Sequence, residues 1–151
     1  MTPIVIQTDI SRPPDEVYTY VTDPLRFPEW QRDVVRVEMV DDQPPRVGSR
    51  FLTTRRFAGS ENTLTQEIRE ISPPRRWSAE GIDGVIRANG TLIVEPLDDG
   101  NSSRVTFEID YEGHGLGRVI MPLVISQTRK GAPISFRRLK ERLESGSGEA
   151  G

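Results

Sequence analysis

The sequence predicts an α+β domain: a curved antiparallel sheet of seven strands wrapped around one long C-terminal helix, with two short helices after the first strand. Three observations carry that reading. Between Asp33 and Tyr111 apolar residues recur with period two, in runs separated by Pro, Gly and Asp clusters. From Leu116 to Leu143 the spacing becomes helical. The chain has 151 residues, a length suited to one domain, and no repeat or linker divides it. We place that domain at 1–144 and a Gly/Ser-rich flexible tail at 145–151.

The elements follow in order. Ile4, Ile6 and Ile10 share the face of a first strand, which Pro13-Pro14 ends. Asp15-Glu16 suit the first turn of a helix, where the positive end of the dipole lies, and Val17, Tyr20 and Val21 form its apolar stripe. Pro28 limits Leu25 to Trp30 to a second short helical piece. Val35, Val37 and Met39 alternate with Arg36 and Glu38 in the next strand. Phe51, Thr53, Arg55 and Phe57 share one strand face, Ala58-Gly59-Ser60 turns the chain, and Leu64, Gln66 and Ile68 face together on the return. Pro73-Pro74 stops that strand. Trp77 and Ala79 belong to another, ending at Asp83-Gly84, a dipeptide favouring a type I′ hairpin. Ile86, Ala88, Leu92 and Val94 follow, with Gly90 in phase, where a bulge or bend would let the strand curl. After the turn at Asp98-Asp99-Gly100-Asn101, Val105, Phe107, Ile109 and Tyr111 alternate cleanly with polar residues.

The final third carries two apolar stripes, Leu116, Ile120 and Leu123, then Ala132, Phe136, Leu139 and Leu143. On an ideal helix they point about 160° apart. Pro133 lies near the change of register, so a kink or break is expected there. A curled sheet gripping such a helix leaves a space wherever inward side chains are small or polar, and a concave apolar space is a natural ligand site.

Particular residues add a family resemblance. Ile10-Ser11-Arg12-Pro13-Pro14-Asp15-Glu16-Val17 opens the first helix, and Asp23-Pro24-Leu25-Arg26-Phe27-Pro28-Glu29-Trp30 is a proline-then-tryptophan segment. Ile71-Ser72-Pro73-Pro74-Arg75-Arg76-Trp77 makes a strand-to-strand corner, and Pro133 precedes Leu139-Lys140-Glu141-Arg142-Leu143-Glu144 in the terminal helix. From about Ile4 to Glu144 the chain resembles the START-like helix-grip superfamily, in its polyketide cyclase/dehydrase and lipid-transport (SRPBCC) branch. The resemblance implies a helix-grip fold around a cavity. It leaves function open, since the fold hosts carriers, cyclases and regulators alike.

Composition narrows the chemistry. There are no cysteines and one histidine, His114. Disulfides, thiolate nucleophiles, iron–sulfur clusters and multi-histidine metal sites are thereby excluded, and no metal or cofactor is expected. Lys+Arg 20 against Asp+Glu 23 gives a net charge of −3, the wrong balance for a nucleic-acid partner. No stretch approaches the roughly 20 apolar residues of a membrane span. A cytoplasmic protein, monomeric or weakly dimeric, is the default expectation.

The candidate site residues are weighed singly. Arg55 is in phase with Phe51 and Phe57; turned inward it would need a carboxylate or the polar end of a ligand. If Leu52 and Thr54 face the core instead, Arg55 is solvated. Gln66 repeats the argument with an amide, and Tyr111 would bring a phenol to the cavity mouth. Trp30 and Trp77 line an aromatic-accepting pocket or plug its ends. With Phe51, Phe57, Phe107 and Ile120 these complete the expected ligand-contacting set. Arg55, Tyr111 and His114 are the residues from which catalysis would have to come, and none sits in a nucleophile or acid–base motif. Two function classes result: a binding or transport module for a small hydrophobic molecule (lipid, polyketide-like or aromatic), or a cofactor-free polyketide cyclase, aromatase or dehydratase. A third, a protein- or ribosome-interacting domain, would show a large exposed apolar patch.

Overall fold

A computed structural model describes residues 3–41 and 43–145. The tail expected at 145–151 falls, beyond Ser145, outside the described residues. Strand β1 (Ile4–Ile10) leads into helix α1 (Pro14–Val21), a 3₁₀ turn (Pro24–Arg26) and helix α2 (Phe27–Trp30). Strands β2 (Val34–Met39), β3 (Arg50–Phe57), β4 (Ser60–Ser72), β5 (Arg76–Gly81), β6 (Ile86–Leu97) and β7 (Ser102–Gly113) follow, and helix α3 (Gly117–Glu144) ends the fold.

The seven strands form one antiparallel sheet in the order β1-β7-β6-β5-β4-β3-β2. Each neighbour from β2 to β7 is joined by a hairpin-type connection. β1 is the exception: the two short helices carry the chain across the sheet, so the first strand pairs with the last. This α+β helix-grip architecture is the one the sequence predicts.

Three local expectations are corrected. Only Gly84 of the Asp83-Gly84 pair has positive φ (+85°), so that connection is not type I′, which needs both central residues left-handed. The tight two-residue turn is Ala58-Gly59, with φ of 51° and 80°. Second, pairing runs through Gly90 without a bulge; it opposes Ala79 and Ile109 in regular register, and the irregularities lie in β2 at Val34/Arg36 and in β4 at Ile68/Glu70. Gly90 serves packing instead, since a Cβ there would stand 2.9 Å from Phe107 Cε1.

Third, α3 runs unbroken through Pro122 and Pro133. The first stripe is not one buried face: Ile120 lies inward with Ala132 and Phe136 of the second, while its leucines are exposed, so no break is needed to reconcile the two. Phe136, Leu139 and Leu143 are buried, whereas Leu116 and Leu123 are 77% and 62% exposed. The inward row is Ile120, Val124, Thr128, Ala132 and Phe136. Residues four apart advance about 40° round a helix, so this row winds about α3 as the curled sheet wraps it.

The core occupies one end of the space between sheet and helix. Val17 and Val21 of α1, Phe27 and Trp30 of α2, and Phe136, Leu139 and Leu143 of α3 pack on Phe51, Ile68, Trp77, Leu92, Val94 and Val105. Aromatic rings dominate its inner boundary. Trp30 lies edge-on to Phe27 and Phe136, each at 5.9 Å, while Phe107 stacks on Phe136 at 6.2 Å. Polar clasps fix the helices over this core. Arg142 reaches the Tyr20 hydroxyl (2.9 Å) and Glu29 (3.2 Å), and Arg12 donates to the carbonyl of Leu143 (2.9 Å).

Candidate ligand-binding site

Side-chain size along the sheet decides where the core stops. Trp77, Leu92 and Phe107 are cross-strand partners and fill the space below α3. Two residues further along each strand the partners are Ala79, Gly90 and Ile109, and two further still Ala88 faces Tyr111. Helix α3 answers with Gly131, Ala132 and Ser135. Small residues facing small residues cannot close the gap, and a cavity of about 900 Å³ remains between sheet and helix. A recess of about 160 Å³ adjoins it, sharing Arg55, Gln66, Ala88, Tyr111 and Thr128.

Trp30, Phe107 and Phe136 form the apolar floor that divides cavity from core. The polar groups are held in fixed pairs. Arg55 donates from Nη1 to Asp33 Oδ1 (3.0 Å) and from Nη2 to Gln31 Oε1 (2.9 Å). Gln31 and Asp33 come from the segment leaving α2, so this fork ties β3 to the loop that also carries Trp30. Gln66 accepts from Thr53 Oγ1 (3.1 Å). The Tyr111 hydroxyl lies 2.6 Å from Thr128 Oγ1, and Thr128 itself donates to the Val124 carbonyl (3.0 Å). With the threonine proton so engaged, Tyr111 is the donor between them. Burial pushes the Tyr111 phenol above its ordinary pKa, against the opposing pull of Arg55 and Thr128. Tyr111 is therefore a neutral O–H at neutral pH.

Arg55 stands on the cavity wall. Trp30, Arg55, Phe57, Gln66, Phe107 and Tyr111 come together round the main cavity, and Ile120 lines the recess. The cavity does not reach Phe51 or Trp77. Both are buried in the aromatic cluster, 6.3 Å apart and packed on Phe27. His114 is also apart: it is exposed in the β7–α3 turn, where its backbone donates to the Val85 carbonyl (2.7 Å). Among the described residues no group of His, Cys, Asp or Glu is arranged to hold a metal.

Sequence reasoning missed Gln31, Asp33, Thr128 and Ser135. The first two lie in a connection with no periodicity to assign them a face. Thr128 was detectable, since it continues the spacing of four from Ile120 through Val124 to Ala132. A stripe defined by apolar residues alone passes over it.

A curled antiparallel sheet closed by a long C-terminal helix over an internal cavity defines a helix-grip domain. The chain belongs to the polyketide cyclase/dehydrase and lipid transport family, whose model matches residues 1–144. No curated protein matches the sequence significantly. Among solved structures, TTHA0849 from Thermus thermophilus superposes with a TM-score of 0.78 at 20% identity, over 96% of this chain and 99% of that one. The Zhui aromatase/cyclase from Streptomyces gives 0.81 at 13% identity, covering 99% and 97%. A START superfamily protein from Mycobacterium smegmatis gives 0.74 at 10% identity, covering 95% and 99%. At these identities the likeness is one of fold. No helix among the described residues is long and apolar enough to cross a membrane.

Proposed function

We propose that this protein binds or carries a small hydrophobic molecule, lipid, polyketide-like or aromatic, in the cavity between the sheet and α3. The observation that carries the reading is the cavity itself, kept open by Gly90, Ala88, Gly131 and Ala132 and floored by Trp30, Phe107 and Phe136. Its volume of about 900 Å³ lies in the range of sites that enclose drug-sized ligands. Membership of a lipid-transport and cyclase family supports the same class. The function needs no cofactor, and we expect a cytoplasmic monomer or weak dimer without a nucleic-acid partner. Native mass spectrometry of the purified protein is the test. A co-purifying small molecule, or saturable uptake of an apolar fluorophore, supports the reading; a protein that takes up neither refutes it.

One observation favours a second reading, a cofactor-free cyclase, aromatase or dehydratase. The neutral Tyr111 phenol and the Arg55 guanidinium line the same cavity and could donate hydrogen bonds to the carbonyl oxygens of a bound poly-β-ketone and so polarise them. Catalysis of this kind would be mostly shape and proton transfer. Loss of turnover in Tyr111→Phe with binding retained would establish it, and absence of turnover on any poly-β-keto substrate would remove it.

A further inference from the structure

We infer that the cavity selects an amphipathic ligand with an anionic end group, a carboxylate, held at the rim by Arg32 and Lys130 while the apolar body lies inside. The inference rests on the binding reading above and names its ligand class.

The charge distribution points there. Arg32, Arg55, Arg56 and Lys130 line the cavity against one carboxylate, Asp33, in a chain whose net charge is −3. The cationic rim thus runs against the balance of the whole molecule. Two of the four cations are occupied. Arg55 holds Asp33 at 3.0 Å, and Arg56 lies 3.4 Å from Glu61. Arg32 and Lys130 are exposed, and neither has a carboxylate within ion-pair distance among the described residues.

Their placement is fixed by the fold. The backbone N–H of Arg32 donates to Ser135 Oγ (2.9 Å), which pins the segment after α2 against α3. Lys130 stands five residues before Ser135, about 7.5 Å back along the helix axis. Those five residues also turn the helix by about 140°, and what the two cations share is the cavity that both line, with Trp30 and Phe136 at its apolar floor. An anion taken wholly among those rings would lose its hydration without compensation. At the rim it keeps part of its water and meets two cations beside a low-dielectric wall, which strengthens the attraction. The planar guanidinium of Arg32 suits a carboxylate in two-point contact. A cationic end group meets repulsion there, and a neutral one gains nothing from the pair.

The test uses the full chain and two series matched in the apolar part: dodecanoate, dodecanol and dodecylammonium below their micelle concentrations, and anthracene carboxylate with anthracene methanol. Binding is read by calorimetry and by tryptophan fluorescence. In the series that fits the cavity the carboxylate is expected to bind about tenfold tighter than the alcohol, with dodecylammonium weakest and the advantage shrinking as salt rises. The double variant Arg32→Gln/Lys130→Gln should bring the carboxylate to the alcohol's affinity and leave the alcohol unchanged. Equal affinities within both series, or a carboxylate preference that survives the double variant, overturn the charge inference and leave the binding reading intact. If none of the five probes binds, the charge inference falls, and the binding reading is decided separately by co-purification and fluorophore uptake. An unchanged melting temperature of the double variant, expected for two exposed side chains without ion-pair partners, separates lost recognition from lost folding.

Discussion

Replacing Arg55 by methionine gives the sharpest check on how the cavity wall is held. The side chain makes two contacts, to Asp33 at 3.0 Å and to Gln31 at 2.9 Å. The ion pair is partly open to water, with Arg55 30% and Asp33 36% exposed. A charge pair at that distance has a gross attraction of about 5 kcal/mol at an effective dielectric near 20, but pairs this exposed retain no more than about 1 kcal/mol net. The Gln31 contact weighs more, because Gln31 is only 5% exposed. Its carbonyl oxygen would lose its donor inside the protein, at about 1–3 kcal/mol. Together Arg55→Met should destabilise by about 2–3 kcal/mol, a fall in melting temperature of about 4–10 °C for a domain of this size. Urea denaturation should show a lower midpoint with an unchanged slope. Arg55→Lys should recover part of the loss, since an ammonium cannot serve both acceptors with the same fork. A double-mutant cycle with Asp33→Asn should give a coupling near 1 kcal/mol. If Arg55→Met shifts stability by less than about 0.5 kcal/mol, the value for a solvated surface residue, the reasoning that makes Arg55 a structural part of the cavity wall is wrong.

Four further outcomes follow from the same geometry. Ala132→Phe should fill part of the cavity that Ala132 lines, lowering affinity for any apolar probe at least about tenfold while changing stability by less than about 1 kcal/mol, as compared by fluorophore titration and thermal melts. Ala58→Asn should stabilise by about 0.5–1 kcal/mol in chemical denaturation, because Ala58 occupies the left-handed region at φ 51° before Gly59 and asparagine tolerates it better. Gly117→Ala should destabilise by about 2 kcal/mol or more, seen as a lower melting temperature, because an added Cβ would overlap the Val85 carbonyl oxygen where α3 meets the β5–β6 connection. Tyr18, Tyr20 and Tyr111 all have phenols raised chiefly by burial. Spectrophotometric titration should therefore find each ionising above about 10, the ordinary value. The unfolded chain ionises first, so folding stability should fall once pH rises past that value, and less steeply in Tyr111→Phe.

Much of the architecture was legible because it is local. Period-two alternation marked the strands, prolines marked the ends of β1 and β4, and helical spacing marked α3. The failures were also physical. Asp83-Gly84 carries a favoured hairpin dipeptide, yet its connection is four residues long and needs only one left-handed residue. Ala58-Gly59 makes the tight turn without the usual asparagine or aspartate. Pro133 reads as an interruption because the pattern counts apolar residues, whereas Leu116 and Leu123 are exposed and set no register against the sheet.

The cavity divides in the same way. That Gly90, Ala88, Gln66, Arg55 and Tyr111 occupy inward phases is written in the alternation of the strands that carry them. Whether those phases face one another across a gap depends on register: Trp77, Leu92 and Phe107 align in one layer, Ala79, Gly90 and Ile109 in the next. Register is set by pairing between strands far apart in the chain, and no single strand contains it. The same holds for the partners of Arg55. Their carboxylate and amide come from a segment more than twenty residues away, without periodicity, brought near only when α2 docks under α3. The sequence by itself determined a helix-grip domain without cysteine and with one histidine, whose inward faces include small and polar residues. Tertiary structure alone decided that those faces enclose a cavity, that Arg55 is anchored in its wall, and that Phe51 and Trp77 belong to the core. Side-chain phase is a property of one strand, but a cavity is what several strands and a helix fail to fill together.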